Sequence, residues 1–187
     1  MQLILASQSP RRRELLGLIV PDFCVCPAEI EEELIPGADL GAEVARLAAG
    51  KARVVADTHP QAAVIGSDTL VVCDGQALGK PKDADDAYRM LSLLSGRSHE
   101  VMTGLALWVP GQTMRTDTIV TRVRFAALSE GEIKAYIASG EPMDKAGAYG
   151  IQGLGARFIE GIEGDYYSVM GLPVRRLYER LRETGLA

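Results

Sequence analysis

The run Ala63-Val64-Ile65-Gly66-Ser67-Asp68-Thr69-Leu70-Val71-Val72 is the strongest strand signal in the chain. Its residues are apolar or small, and only Asp68 interrupts them with a charge. An unpartnered carboxylate in such a strand is costly, so Asp68 needs a metal, a cation or hydrogen bonds. Apolar surroundings raise a carboxylate's pKa, which suits a general base, whereas a divalent metal would hold it ionised. The alternative is a strand-end carboxylate bonded to backbone amides. Asp74-Gly75 then reads as a hairpin turn, with the chain returning through Gln76-Ala77-Leu78 to Gly79-Lys80-Pro81.

A second constraint lies at the start. Leu3-Ile4-Leu5-Ala6 reads as a buried strand, and Ser7-Gln8-Ser9-Pro10-Arg11-Arg12-Arg13 leads from it into a helical pattern. Ser9 suits an N-cap and Pro10 the first helical position. Arg11, Arg12 and Arg13 therefore fall in the first turn, where the helix dipole is already positive and each exposed cation costs roughly 0.3–1 kcal/mol. A local rule broken in this way points to a functional site. A phosphate chain held by helix N–H groups, hydroxyls and guanidiniums would compensate. The alternative is a solvated basic turn paired with nearby acids.

The 187 residues fit one domain, or one domain with two lobes, and we read 1–187 as a single domain. Hydrophobic residues make up 47% and charged residues 24%, which argues against disorder. A net charge of −5 gives no general attraction to nucleic acid or an anionic membrane, so positive charge must act locally. No apolar run reaches membrane-spanning length, and Met1 to Ala6 is too short and lacks the basic flank of a signal peptide. Cys24, Cys26 and Cys73 form no C-x-x-C pair and read as reduced core residues of a cytosolic protein. With only His59 and His99 available, a His-rich zinc site is excluded; His99 reads as structural and His59 as part of a turn.

Asp39 to Ala56 reads as a helix whose apolar stripe is Val44, Leu47, Ala48 and Val55. Lys51 falls in the middle of that stripe, so it must snorkel or find an anion. Asp83 caps a helix through Leu94, Ser129 and Glu132 form a capping box, and Leu172-Pro173 opens a last amphipathic helix. In the acidic cluster Glu29-Ile30-Glu31-Glu32-Glu33, an extended chain would put Glu29, Glu31 and Glu33 on one face. Magnesium or manganese takes one or two such carboxylates plus phosphate oxygens. The glycine-rich stretch Asp144 to Gly155 lets backbone approach a ligand, and its Gln152 carries both donor and acceptor, as reading a base edge requires. Strands mixed with short helices indicate a mixed α/β fold. The candidate residues describe metal-assisted phosphate chemistry with an activated water as attacker.

The chain resembles the Maf family of nucleoside triphosphate pyrophosphatases, first associated with septum formation. The resemblance runs nearly end to end, through Ser7-Gln8-Ser9-Pro10-Arg11-Arg12, Lys51-Ala52, Gly66-Ser67-Asp68-Thr69 and Gly79-Lys80-Pro81. It continues in His99-Glu100-Val101-Met102-Thr103-Gly104, Asp144-Lys145-Ala146-Gly147-Ala148-Tyr149-Gly150-Ile151-Gln152-Gly153 and Gly171-Leu172-Pro173. It implies a mixed β-sheet with flanking helices and two lobes around a cleft, a divalent metal (Mg2+ or Mn2+), a cytoplasmic setting and a homodimer. It also implies hydrolysis of a nucleoside triphosphate between its α and β phosphates, with dTTP and UTP as the substrates of the branch that this loop sequence resembles. The alternatives are the 7-methyl-GTP branch and a non-catalytic, nucleotide-sensing regulator of septation. Asp68 matches the family's proton acceptor, and Arg11, Thr69 and Gln152 match its specificity positions. Ser7, Ser9, Arg12, Lys51 and Lys80 would hold the triphosphate, with Lys51 and Lys80 stabilising developing charge and Lys145 a further substrate contact. Glu31 would join Asp68 at the metal. Ser168 stands where many relatives carry Asn.

Overall fold

The computed structural model describes residues 1–186. Among the described residues, seven strands pair in the order β2-β1-β3-β5-β6-β7, with β4 on β3. They are β1 (Leu3–Leu5), β2 (Cys24–Val25), β3 (Ala63–Cys73), β4 (Gln76–Leu78), β5 (Ser98–Trp108), β6 (Arg115–Phe125) and β7 (Ile159–Glu163). The helices are α1 (Pro10–Gly17), α2 (Leu40–Thr58), α3 (Ala84–Leu94), α4 (Glu130–Ala138), α5 (Tyr166–Met170) and α6 (Val174–Glu183). β1 is parallel to both β2 and β3, while β4 is antiparallel to β3 and β7 to β6, so the sheet is mixed as expected.

The chain forms two compact units. The first contains Met1–Thr69, Thr103–Ile119 and the chain from Gly171 on; the second contains Leu70–Met102 and Val120–Met170. In the first unit, Ala48, Ala52, Val55 and Ala56 of α2 pack with Ile4, Val64 and Ala106. Two strand glycines bring that helix down onto the sheet. A Cβ at Gly66 would lie 2.1 Å from the Ala48 carbonyl oxygen, and one at Gly104 would lie 2.2 Å from that of Val44. Glu43 is buried at the start of α2, where it accepts from the Ile35 N–H and from Arg46. The Arg46 guanidinium, then the Ile35 amide, hold its carboxyl down to about 2.

The expected caps are present. Ser9 caps α1 with Pro10 at its start, Asp39 and Asp83 cap α2 and α3, and Ser129 and Glu132 form the capping box of α4. One expectation is corrected. Cys73 is buried, but Cys24 is exposed and Cys26 only half-buried. β2 is two residues long and stands at the end of the strand order, so neither of its residues is covered.

In the second unit, α3, α4, Val123, Phe125 and Phe158 enclose a core that contains Tyr136 and Tyr149. His99 lies against this core, 3% exposed, edge-on to Phe125 and Tyr149, with Nε2 2.7 Å from the Tyr149 hydroxyl. Its Nδ1 is buried without a partner among the described residues, so protonation would create a charged ring with an unbonded N–H. Burial pushes its pKa down from 6.5 to about 4. The unfolded chain therefore takes up a proton below about pH 6.5 while the folded one does not. Stability from this group is complete above that pH and falls as pH drops towards 4. We expect a loss of about 2 kcal/mol near pH 5 in urea titrations, absent from His99→Gln. Equal acid sensitivity in the two proteins would refute this role.

Candidate active site

In the first unit, Arg12 of α1 lies within electrostatic range of Asp68 on β3. Ser7 follows β1, and its hydroxyl accepts from the Ser9 N–H at 3.2 Å and from Arg12 Nη1 at 3.4 Å. The other arms of Arg12 reach the Gly171 carbonyl at 2.7 Å and the Thr69 hydroxyl at 3.3 Å. Thr69 in turn sits 3.1 Å from the Thr103 hydroxyl. Ser67, fully buried, donates to the carbonyl oxygens of Gly104 and Gly171, each at 2.9 Å. A backbone carbonyl and two hydroxyls thus hold the Arg12 guanidinium. Burial pushes its pKa down, opposed by the charges of Asp68 and then Glu32, while Arg11 adds to the depression. Asp68 and Glu32 are thus the carboxylates whose charge Arg12 feels. Three arginines in one helical first turn, with the N-terminal dipole behind them, form a positive end that suits an anion.

Asp68 lies two residues beyond Gly66 on β3, hence on the same face, the one that α2 covers. Lys51 comes from the buried stripe of α2, and its ammonium is 2.6 Å from Asp68 Oδ1. The same ammonium is 2.6 Å from Glu32 Oε1. The inward lysine of the sequence has found its anions. The Lys51–Asp68 pair is desolvated, so removing the lysine would leave a buried carboxylate without its cation, whereas Glu32 is exposed enough to keep its water.

Within the acidic cluster, the structure brings Glu32, not Glu31, to this centre; Glu31 is exposed. The reason is local. Residues 26–35 form neither strand nor helix, so the alternation that grouped Glu29, Glu31 and Glu33 does not apply. Ser67, Thr103 and Gly171, which the sequence offers only as parts of longer motifs, also join the site. No group of three or more His, Cys, Asp or Glu side chains among the described residues could hold a metal by itself.

The remaining candidates lie in the second unit. Lys80 is exposed on the turn after β4, and the neighbouring Gly79 carbonyl accepts from the Gly147 N–H at 3.0 Å, which ties that turn to the glycine-rich loop. Gly147 has φ +68°, and a Cβ there would strike Val71 at 2.8 Å. Lys145 is occupied within its own loop by the Glu141 carbonyl and by Asp144. Gln152 is exposed, at the entry to a 3-10 turn over Gly153–Phe158.

A mixed α/β protein with three arginines at a helix start and a buried Lys–Asp pair is equipped to bind a polyanion beside an ionisable carboxylate. The family model described as "Maf-like protein" matches residues 2–184, and the chain belongs to the Maf family. A protein of Koribacter versatilis named dTTP/UTP pyrophosphatase is 50% identical over 186 residues, covering 100% of this chain and 96% of its own. One of the same name from Symbiobacterium thermophilum is 52% identical over 185 residues, covering 98% and 94%. Among solved structures, the Ham1 protein of Staphylococcus aureus aligns with a TM-score of 0.56 at 14% identity, covering 98% of this chain and 100% of that one, which shows the shared fold.

Proposed function

We propose that this protein hydrolyses dTTP and UTP to the monophosphate and pyrophosphate. The observation that carries the reading is the placement of Arg12, at the positive start of α1, beside the buried Lys51–Asp68 pair. The relatives named above, half identical over nearly their whole length, supply the substrate class. In this reading Asp68 takes the proton of the attacking water as the bond between the α and β phosphates breaks and pyrophosphate leaves. Arg11, Arg12, Lys51 and Lys80, with the hydroxyls of Ser7 and Ser9, hold the phosphates and stabilise the charge that develops. Thr69, Gln152 and Arg11 set specificity, and Lys145 is a further contact.

The donor set suits a hard divalent cation. Asp68 and Glu32 are oxygen ligands converging on one ammonium, and two carboxylates plus phosphate oxygens are what Mg2+ or Mn2+ commonly takes. When bound there, such an ion would neutralise phosphate charge and polarise water. No helix among the described residues is long and apolar enough to cross a membrane. The family reading also carries a cytoplasmic setting and a homodimer, the latter tested by its mass in solution.

The test is a nucleotide panel with Mg2+ or Mn2+. We expect pyrophosphate and monophosphate in equal amounts from dTTP and UTP, with both preferred over CTP and 7-methyl-GTP. Orthophosphate as the product would overturn the reaction, a preference for 7-methyl-GTP would overturn the substrate, and binding without turnover would point to a nucleotide-sensing regulator.

A further inference from the structure

The loop that carries Gln152 is held by two residues that have no place in the chemistry above. Tyr136, on α4, is fully buried, yet its hydroxyl is used entirely on this loop. It donates to Glu141 Oε1 at 2.9 Å and accepts from the Gly150 N–H at 3.2 Å. The Glu141 carboxylate accepts from the Leu154 N–H at 2.9 Å and the Gly155 N–H at 3.1 Å. The amide two residues before Gln152 and those two and three residues after it are therefore pinned to one phenol–carboxylate pair. The glycines fit the same device. A Cβ at Gly153 would meet Glu141 Oε2 at 2.7 Å, and one at Gly155 would meet the Tyr136 hydroxyl at 2.8 Å and the Gly150 carbonyl oxygen at 2.4 Å. Burial works against the Glu141 charge, but the Leu154 and Gly155 amides and the Tyr136 hydroxyl outweigh it and keep the carboxyl below its ordinary value.

We propose that Tyr136 and Glu141 are positioning residues for base recognition, a clamp that fixes the backbone on both sides of Gln152. The proposal rests on the reading of Gln152 as the group that reads the base. An exposed side-chain amide on a chain rich in glycine starts with large conformational freedom, and ordering it on binding weakens affinity. Discrimination between a uracil or thymine edge and a cytosine edge depends on where donor and acceptor lie, within roughly 0.5 Å. The clamp removes that freedom before substrate arrives, and it does so from groups that need not touch the nucleotide.

Tyr136→Phe removes the hydroxyl and keeps the ring; Glu141→Gln keeps the shape and removes the charge. Each should raise KM for dTTP and UTP about tenfold with a much smaller change in kcat, and narrow the dTTP-to-dCTP ratio of kcat/KM by about tenfold. Because the ratio is taken on one preparation, partial misfolding cancels from it. Amide exchange at Gly150, Leu154 and Gly155 should accelerate in both variants. Gln152→Ala provides the separating arm. If it narrows the ratio while Tyr136→Phe and Glu141→Gln keep both ratio and KM, the clamp is overturned and the reading of Gln152 stands. If Gln152→Ala leaves the ratio intact, the base-reading role falls, and the clamp's role falls with it.

Discussion

Asp68→Asn is expected to lower kcat for dTTP by about a thousandfold and leave a folded protein. The change is isosteric, and Lys51 keeps the Glu32 carboxylate at 2.6 Å, so its ammonium is not stranded. Removing one charge from a buried pair costs most when nothing else satisfies the partner. Here the amide oxygen still accepts a hydrogen bond, and the expected stability loss is only about 1–3 kcal/mol. What the amide cannot do is take a proton from water. Steady-state rates alongside circular dichroism and thermal melting separate the two effects. A variant within tenfold of wild-type kcat would remove Asp68 from proton transfer and leave it a purely structural partner of Lys51. Lys51→Met should behave differently. It leaves Asp68 and Glu32 without their shared cation, so both the melting temperature and activity should fall.

The parts of this site that depend on local rules were readable from the sequence. Ser9 and Pro10 announce the start of α1, the stripe Val44, Leu47, Ala48 and Val55 turns Lys51 inward, and an apolar strand makes Asp68 conspicuous; each has the predicted placement. The parts that depend on long-range contacts or irregular backbone were not. Glu32 differs from Glu31 only by the path of residues 26–35, which follow no period that a pattern could detect. The Gly171 carbonyl reaches Arg12 across most of the chain, and no periodicity reports a carbonyl's direction. A sulfur in a strand-like run reads as core, whereas Cys24 lies in a two-residue edge strand and is exposed. Glycine within a strand did offer a usable signal, since it marks close approach by another backbone. Gly66 and Gly104 are that case, and through them the packing of α2 determines where Lys51 sits.

Gly66→Ala should therefore harm both stability and chemistry. The added methyl carbon would lie 2.1 Å from the Ala48 carbonyl oxygen and 2.9 Å from the Ala52 nitrogen. Both are helix backbone atoms engaged in α2, and neither can swing aside as a side-chain tip could. Relief requires the helix to lift from β3, which opens the packing of Ala48, Ala52 and Val64. Overpacking of flexible core sites costs about 1–3 kcal/mol, and a clash against backbone should reach or exceed the upper end. For a chain of this length that is a fall in melting temperature of roughly 10 °C. Gly17→Ala is the control. A Cβ there meets nothing within 4 Å, so its melt should match wild type within about 0.5 kcal/mol. The same lifting would draw Lys51 away from Asp68, because the lysine rides on the turn of α2 next to Ala52. Under conditions where Gly66→Ala is folded, its kcat should therefore remain well below wild type, and a variant that melts lower but turns over normally would show that helix height and the Lys51–Asp68 pair are not coupled.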